Sequence, residues 1–318
     1  MIAYRPQLCR FAALVAGVCW LALALARPQE KAGGDDPAIP AAWLDVLTGG
    51  LPIIVGAPHG GELRPSELPD RPVGVLLRDA GTDDLARRLA DELGKQFGRR
   101  PHLIVCEVHR AKVDCNRELT EAAQGHPLTE ALWRAYHRAV GEAADAVHRE
   151  WGAGLYIDLH GQSHATARVE WGYRLKAADL ALSDEKIDVD PALAGVVSVR
   201  DAVARSGKPF SAVVRGTNSL GGLLERAGFP SVPSPAHPHP GGGPYFSGGY
   251  NVQKYGSAGG GTLSAVQIEA PRRGVRDTAE NRQRFAAALA AALGIWFREH
   301  YRIDLAAPSA RGKTVPGR

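Results

Sequence analysis

The sequence predicts an α/β fold, and two observations carry that reading. Short apolar runs at residues 51–57, 103–108, 154–159 and 262–269 have the length and composition of buried strands. Between them lie amphipathic helical patterns: Leu85, Leu89, Leu93 and Phe97 recur at four-residue intervals, and Leu132, Tyr136, Val140, Ala144 and Val147 share one face of a second helix. Strands that alternate with helices assemble into a mainly parallel sheet covered on its faces. At 318 residues and 45% hydrophobic content, the chain can bury one large core or two modest ones.

Taken in chain order, residues 1–26 read as a signal peptide. Arg5 and Arg10 precede an apolar stretch over residues 11–25, and Ala24-Leu25-Ala26 supplies small residues of the kind a signal peptidase cleaves after. The apolar run falls short of the ~20 residues that span a bilayer, so export to the periplasm or the exterior is favoured over a retained anchor. Residues 27–40 are expected to be a flexible, polar, Pro/Gly-bearing connector and residues 41–305 a single α/β domain. Thr82 is the expected N-cap of the first helix. Residues 129–151 form the second helix, 281–301 a closing one, and 210–215 a fourth strand followed by a helix around Leu220, Leu223 and Leu224. The charged, weakly periodic stretch 176–207 reads as a peripheral excursion. The Gly/Pro-rich stretch 229–261, with Tyr245, Tyr250 and Tyr255, reads as a functional, partly ordered loop. Residues 306–318 are an expected disordered tail.

Composition excludes several functions. A net charge of +4 is small for this length, which gives no electrostatic case for nucleic acid, and no nucleic-acid motif is present. Two of the four cysteines lie in the leader, leaving Cys106 and Cys115, either a bridge or two thiols, in a spacing that matches no zinc-thiolate pattern. Neither a phosphate loop nor a serine-nucleophile elbow occurs.

The informative residues stand where strands end. His59 and Glu62 follow the first strand, His160 ends the third and Glu269 ends the late one. In an open α/β sheet, ligands bind beyond the C-terminal ends of parallel strands, so these distant residues can meet. Period-two alternation places Tyr156, Asp158 and His160 on one face, opposite Ile157 and Leu159. It likewise separates Ala265, Gln267 and Glu269 from Val266 and Ile268. Two imidazoles and a carboxylate suit zinc and leave a fourth position open to water, with Glu269 as the base. For His59 and Glu62 alone, a polar pair in a glycine turn is the plain alternative.

In this order "PHGGE", "VHRAKVDCNRE", "DLHGQ" and "VQIEAPRRGVR" resemble the N-formylglutamate amidohydrolase family, itself similar to zinc carboxypeptidases and aspartoacylase-type deacylases. The resemblance runs from about Pro52 to about Arg276. It implies a three-layer α/β/α, zinc-carboxypeptidase-like fold with a mixed, mainly parallel sheet. Carried over residue by residue, it implies His59, Glu62 and His160 as zinc ligands and Glu269 as the base. Arg110 would then stabilise the oxyanion, and Asn116 and Arg117 would grip a substrate carboxylate. Asp114 and Asp158 are expected either to orient these groups or to cap the loop and strand end. Arg272, Arg273 and Arg276 read as a solvated basic edge, and His164 as the rival to His160. From the loop, Tyr250 or Tyr255 is expected to enter the site.

The function expected from all this is a zinc-dependent hydrolase. It would cleave an amide in an N-acyl amino acid or short peptide carrying a carboxylate, through a metal-activated water. A zinc carboxypeptidase or cell-wall peptide amidase is the nearest alternative, and a non-catalytic binding protein on the same fold the more distant one. The expected partners are small molecules or short peptides, with no nucleic acid and no stable membrane insertion once the leader is removed.

Overall fold

Seven strands form one sheet: β1 (Leu44–Leu47), β2 (Ile53–Ala57), β3 (His102–Cys106), β4 (Gly154–Gln162), β5 (Val169–Gly172), β6 (Ser231–Val232) and β7 (Leu263–Pro271). Their spatial order is β1-β3-β2-β4-β7-β5-β6. The β3-β2, β2-β4, β4-β7 and β5-β6 pairs are parallel, whereas β1-β3 and β5-β7 are antiparallel. The sheet is therefore mixed and mainly parallel. This is a computed structural model describing residues 36–309. The expected signal peptide, most of the connector and the last nine residues of the tail lie outside the described residues.

The strands are apolar almost throughout because both faces are covered. Alternate residues divide between two cores. Ile53, Val55, Leu103, Val105, Leu155, Ile157, Val266 and Ile268 pack on one side with the helices Thr82–Phe97 and Ala279–Tyr301. Ile54, Ile104, Cys106, Tyr156 and Ala265 pack on the other with helix Pro127–Trp151. This is the expected three-layer arrangement. Among the described residues, no helix is long and apolar enough to cross a membrane.

Topology sets where a ligand can enter. From β2 the chain goes to β3 on one side and later returns as β4 on the other, so the crevice beyond the ends of β2 and β4 is a switch point of strand order. His59 leaves β2 there and His160 sits near the end of β4.

Several local expectations are corrected. Residues 210–215 are a helix, Phe210–Arg215, rather than a strand. Phe210, Val213 and Val214 are buried at helical spacing, and Asp188 accepts from the Ser211 amide at 2.7 Å. Thr82 is the first helical residue; Gly81, at φ 83°, precedes it, and the Thr82 hydroxyl donates to the Asp79 carbonyl at 2.8 Å. Stretch 176–207 folds into four short helices whose Leu180, Ile187, Leu193 and Ala202 are buried in the core. At the connector's end, Asp36 pairs with Arg134 at 2.9 Å, so part of it is tied down. The first tail residues turn back, with Ala307 donating to the Asp304 carbonyl. Cys106 and Cys115 are buried free thiols.

Candidate metal centre and active site

Strand β4 carries the site because its polar face points toward the switch-point crevice. Tyr156, Asp158 and His160 alternate along it, and all three are buried. His160 lies in register with Glu269 of β7. Two side chains of the candidate site thus occupy partner positions on adjacent parallel strands.

His59 and His160 face each other. His59 Nε2 donates to Asp114 Oδ1 at 2.6 Å and His160 Nε2 to Asp158 Oδ2 at 2.9 Å. Asn116 Nδ2 also lies 3.1 Å from His160 Nε2, but the carboxylate is both nearer and charged, so it takes the proton. With each Nε2 turned to a carboxylate, the two rings point their Nδ1 atoms at each other, 3.1 Å apart, and in a neutral ring that atom offers a metal its electron pair. Asp79 Oδ2 completes the triangle, 3.2 Å from His160 Nδ1 and 3.5 Å from His59 Nδ1. Three electron-pair donors so close repel one another unless a proton or a metal cation lies among them. A tetrahedral zinc with bonds of about 2.0–2.1 Å spaces its ligand atoms about 3.3 Å apart. The observed triangle fits that spacing, and buried carboxylates behind both imidazoles are the usual support of metal-binding histidines.

The electrostatics agree. Burial alone would push the Asp79 carboxyl up, but hydrogen bonds and attraction from His160 and His59 outweigh it and hold the group far below the usual carboxylate range. At Asp114, burial is likewise overridden by His59, then by Arg110 and Arg71, and the carboxyl lies well below its ordinary value. Burial disfavours a charged His160, yet Asp158 and Asp79 prevail and raise it well above its ordinary value, so that without a metal a proton on Nδ1 fills the place a cation would take. Glu269 goes the other way. Its burial dominates the attraction of His160, Asp79 adds repulsion, and the carboxyl is pushed up to about 7 despite a 2.7 Å hydrogen bond from Gln267 Nε2.

This shift has a measurable consequence. An acid whose folded pKa exceeds its unfolded value of 4.5 costs the fold stability as pH rises from 4.5 through 7. In metal-free protein, denaturant midpoints at about pH 4 and about pH 8 should show a decline that Glu269→Gln reduces by up to about 3 kcal/mol. Equal pH slopes in the two proteins would contradict the burial argument.

The expected residues can now be placed. Arg110, Asn116, Arg117, His160 and Glu269 all line one cavity of about 650 Å³, joined there by Asp79, which is not among the residues expected from the sequence. Arg110 Nε donates to Asp114 Oδ2 at 3.0 Å, with its Nη1 3.6 Å from Asp79. Asn116 Oδ1 accepts from the Asn251 amide at 2.8 Å, and Arg117 pairs with Glu121 at 3.0 Å. Asp114 and Asp158 orient the two imidazoles. Asn251 Nδ2 and the Tyr156 hydroxyl donate to Asp158 Oδ1 at 3.1 and 3.0 Å.

Glu62 is not brought to the histidines. The Leu63 amide donates to the Glu107 carbonyl at 2.9 Å and the His109 amide to the Leu63 carbonyl at 2.7 Å, so the chain after His59 is drawn alongside the continuation of β3. This carries the Glu62 side chain into solvent, 72% exposed and paired with Arg78. Asp79 stands in its place as the third donor. Among the described residues, His59, Asp79 and His160 are the group with converging ligand atoms. The sequence offered only one weak signal for Asp79, an acid just ahead of a helix start.

Three further expectations shift. Arg276 is buried, not a solvated edge: it donates to the carbonyls of Ala270 at 2.8 Å, Gln162 at 2.9 Å and Ala80, clamping the floor of the site. Gly161 lacks a Cβ because one would sit 2.2 Å from that guanidinium. His164 bonds Glu170 at 2.8 Å and stacks on Phe246, away from the metal group. From the Gly/Pro-rich stretch, Tyr245 lines the cavity with residues 246–249, while Tyr255 contacts His137 beneath the sheet and Tyr250 accepts from Lys254.

No family model and no curated protein matches this sequence. Among solved structures the chain is similar to a gene product of Agrobacterium tumefaciens, at 13% identity and TM-score 0.45, over 80% of this chain and 94% of that one. It is also similar to an N-formylglutamate amidohydrolase from Ralstonia eutropha JMP134, at 17% identity and TM-score 0.49, over 82% of this chain and all of the other.

Proposed function

We propose that this chain is an exported zinc-dependent hydrolase that cleaves an amide in an N-acyl amino acid or short peptide bearing a carboxylate. One observation carries the reading. Two imidazoles backed by buried carboxylates turn their Nδ1 atoms toward Asp79, beside a buried glutamate with a raised pKa. The residues that would hold zinc are His59, Asp79 and His160. Zinc bound there supplies a Lewis acid that polarises the scissile carbonyl and lowers the pKa of water to about 7. Glu269, with its pKa near neutrality, takes the proton of the attacking water and returns it to the leaving nitrogen. Arg110, anchored through Nε, presents its guanidinium where negative charge develops on the carbonyl oxygen. Asn116 and Arg117 hold the substrate carboxylate. Export rests on the leader pattern of residues 1–26.

A peptide substrate draws support from a second cavity of about 350 Å³ that shares Ser163, His164 and Arg272 with the first. The purified protein should contain stoichiometric zinc and hydrolyse members of an N-acyl amino acid and peptide panel. A strong chelator should abolish turnover and added zinc restore it. Undiminished hydrolysis by protein shown to be metal-free, or metal-loaded protein inert across the panel, would sink the proposal.

A further inference from the structure

The cavity has an apolar rim that the chemistry above does not use. Of ten large hydrophobic side chains exposed among the described residues, four fall in one five-residue stretch: Val73, Val75, Leu76 and Leu77. Val75 and Leu77 line the cavity, as does exposed Phe246 from the opposite loop. Leu77 is 81% exposed. Single exposed hydrophobics are ordinary, but a cluster at the mouth of a polar site marks a surface that something covers.

The interior of the same cavity is cationic. Arg78, Arg110, Arg117, Arg272 and Arg276 line it, against Asp79 and Glu269 as its only lining acids among the described residues. A ligand complementary to both parts carries an anionic group and an apolar group. The rim also adjoins the carboxylate clamp: Arg71 donates to the Val73 and Val75 carbonyls, and a Cβ on Gly74 would lie 4.0 Å from Glu121 Oε1, the partner of Arg117.

Resting on the hydrolase reading, we propose that this rim sets specificity for the amine side of the substrate. The amino acid released carries a large apolar side chain, which lies across Val75 and Leu77 while Asn116 and Arg117 hold its carboxylate. Burying such a side chain against the rim favours it over glycine by about tenfold or more.

The test compares N-acetyl-leucine, N-acetyl-phenylalanine, N-acetyl-glutamate, N-acetylglycine and N-octanoylglycine. Zinc-loaded protein should show kcat/KM about tenfold higher for the leucine and phenylalanine substrates than for the glycine and glutamate ones. Leu77→Ser, at a position too exposed to support the core, should cut the leucine-to-glycine ratio about fivefold. Val189→Ser, equally exposed but outside the cavity, should leave the ratio unchanged. Calorimetry on Glu269→Gln measures the same preference in binding, independently of turnover. Equal values for leucine and glycine, or a gain confined to N-octanoylglycine, would overturn the inference while leaving the hydrolase reading intact. An apolar preference in calorimetry without hydrolysis by wild type would support the rim and count against the hydrolase.

Discussion

Glu269→Gln should lower kcat by about a thousandfold while zinc content stays stoichiometric, because the substitution keeps the shape and removes the base. The position tolerates the change: Glu269 is 5% exposed on β7, and Gln267, held by the Gly249 amide on its Oε1, can donate its Nε2 to the oxygen of a glutamine as it does to the carboxylate. The neighbouring imidazole is also undisturbed, since His160 is oriented by Asp158 from its own strand. Metal analysis and steady-state rates on the same preparation check this. Loss of zinc together with activity would make Glu269 a structural support of the metal group, and a rate within about tenfold of wild type would remove it as the base.

The second large effect separates two acids. Asp79→Ala should weaken zinc binding by at least about a hundredfold, since it deletes a direct donor, and losing only a carboxylate behind a metal-binding histidine already costs about 10–100-fold. Glu62→Ala should change zinc affinity little, because that side chain is in solvent against Arg78. Competition with a chromophoric chelator measures both. The reverse result, zinc lost in Glu62→Ala and kept in Asp79→Ala, would show that the turn after β2 closes onto the metal in the loaded protein.

Much of this arrangement is legible in the sequence, for a physical reason. His160, Asp158 and Glu269 lie on long buried strands whose period-two alternation sorts core from site, and a strand end in an α/β sheet has a known address. Helices Thr82–Phe97, Pro127–Trp151 and Ala279–Tyr301 show their buried faces as a helical repeat. Asp79 and Arg276 are not legible. Each is delivered by an irregular segment whose path depends on contacts made far away, Asp79 through the Gly161 amide and the two imidazoles, Arg276 through three carbonyls from separate elements. Glu62 fails for the complementary reason. Its spacing from His59 suits a shared ligand, but tertiary pairing of Leu63 with residues 107–109 overrides that local geometry. Residues 210–215 mislead because Val213 and Val214 favour a strand by composition while the buried spacing is helical.

The pairing of His160 with Glu269 on neighbouring strands has a consequence for how such a molecule can diversify. The distance between these two candidate groups is held by the backbone ladder, whereas much of the cavity wall comes from the stretches around 75–78 and 245–249. Swapping those walls is thus a route to altered selectivity that spares the reaction centre, with the sheet acting as a chassis and the loops as exchangeable fittings.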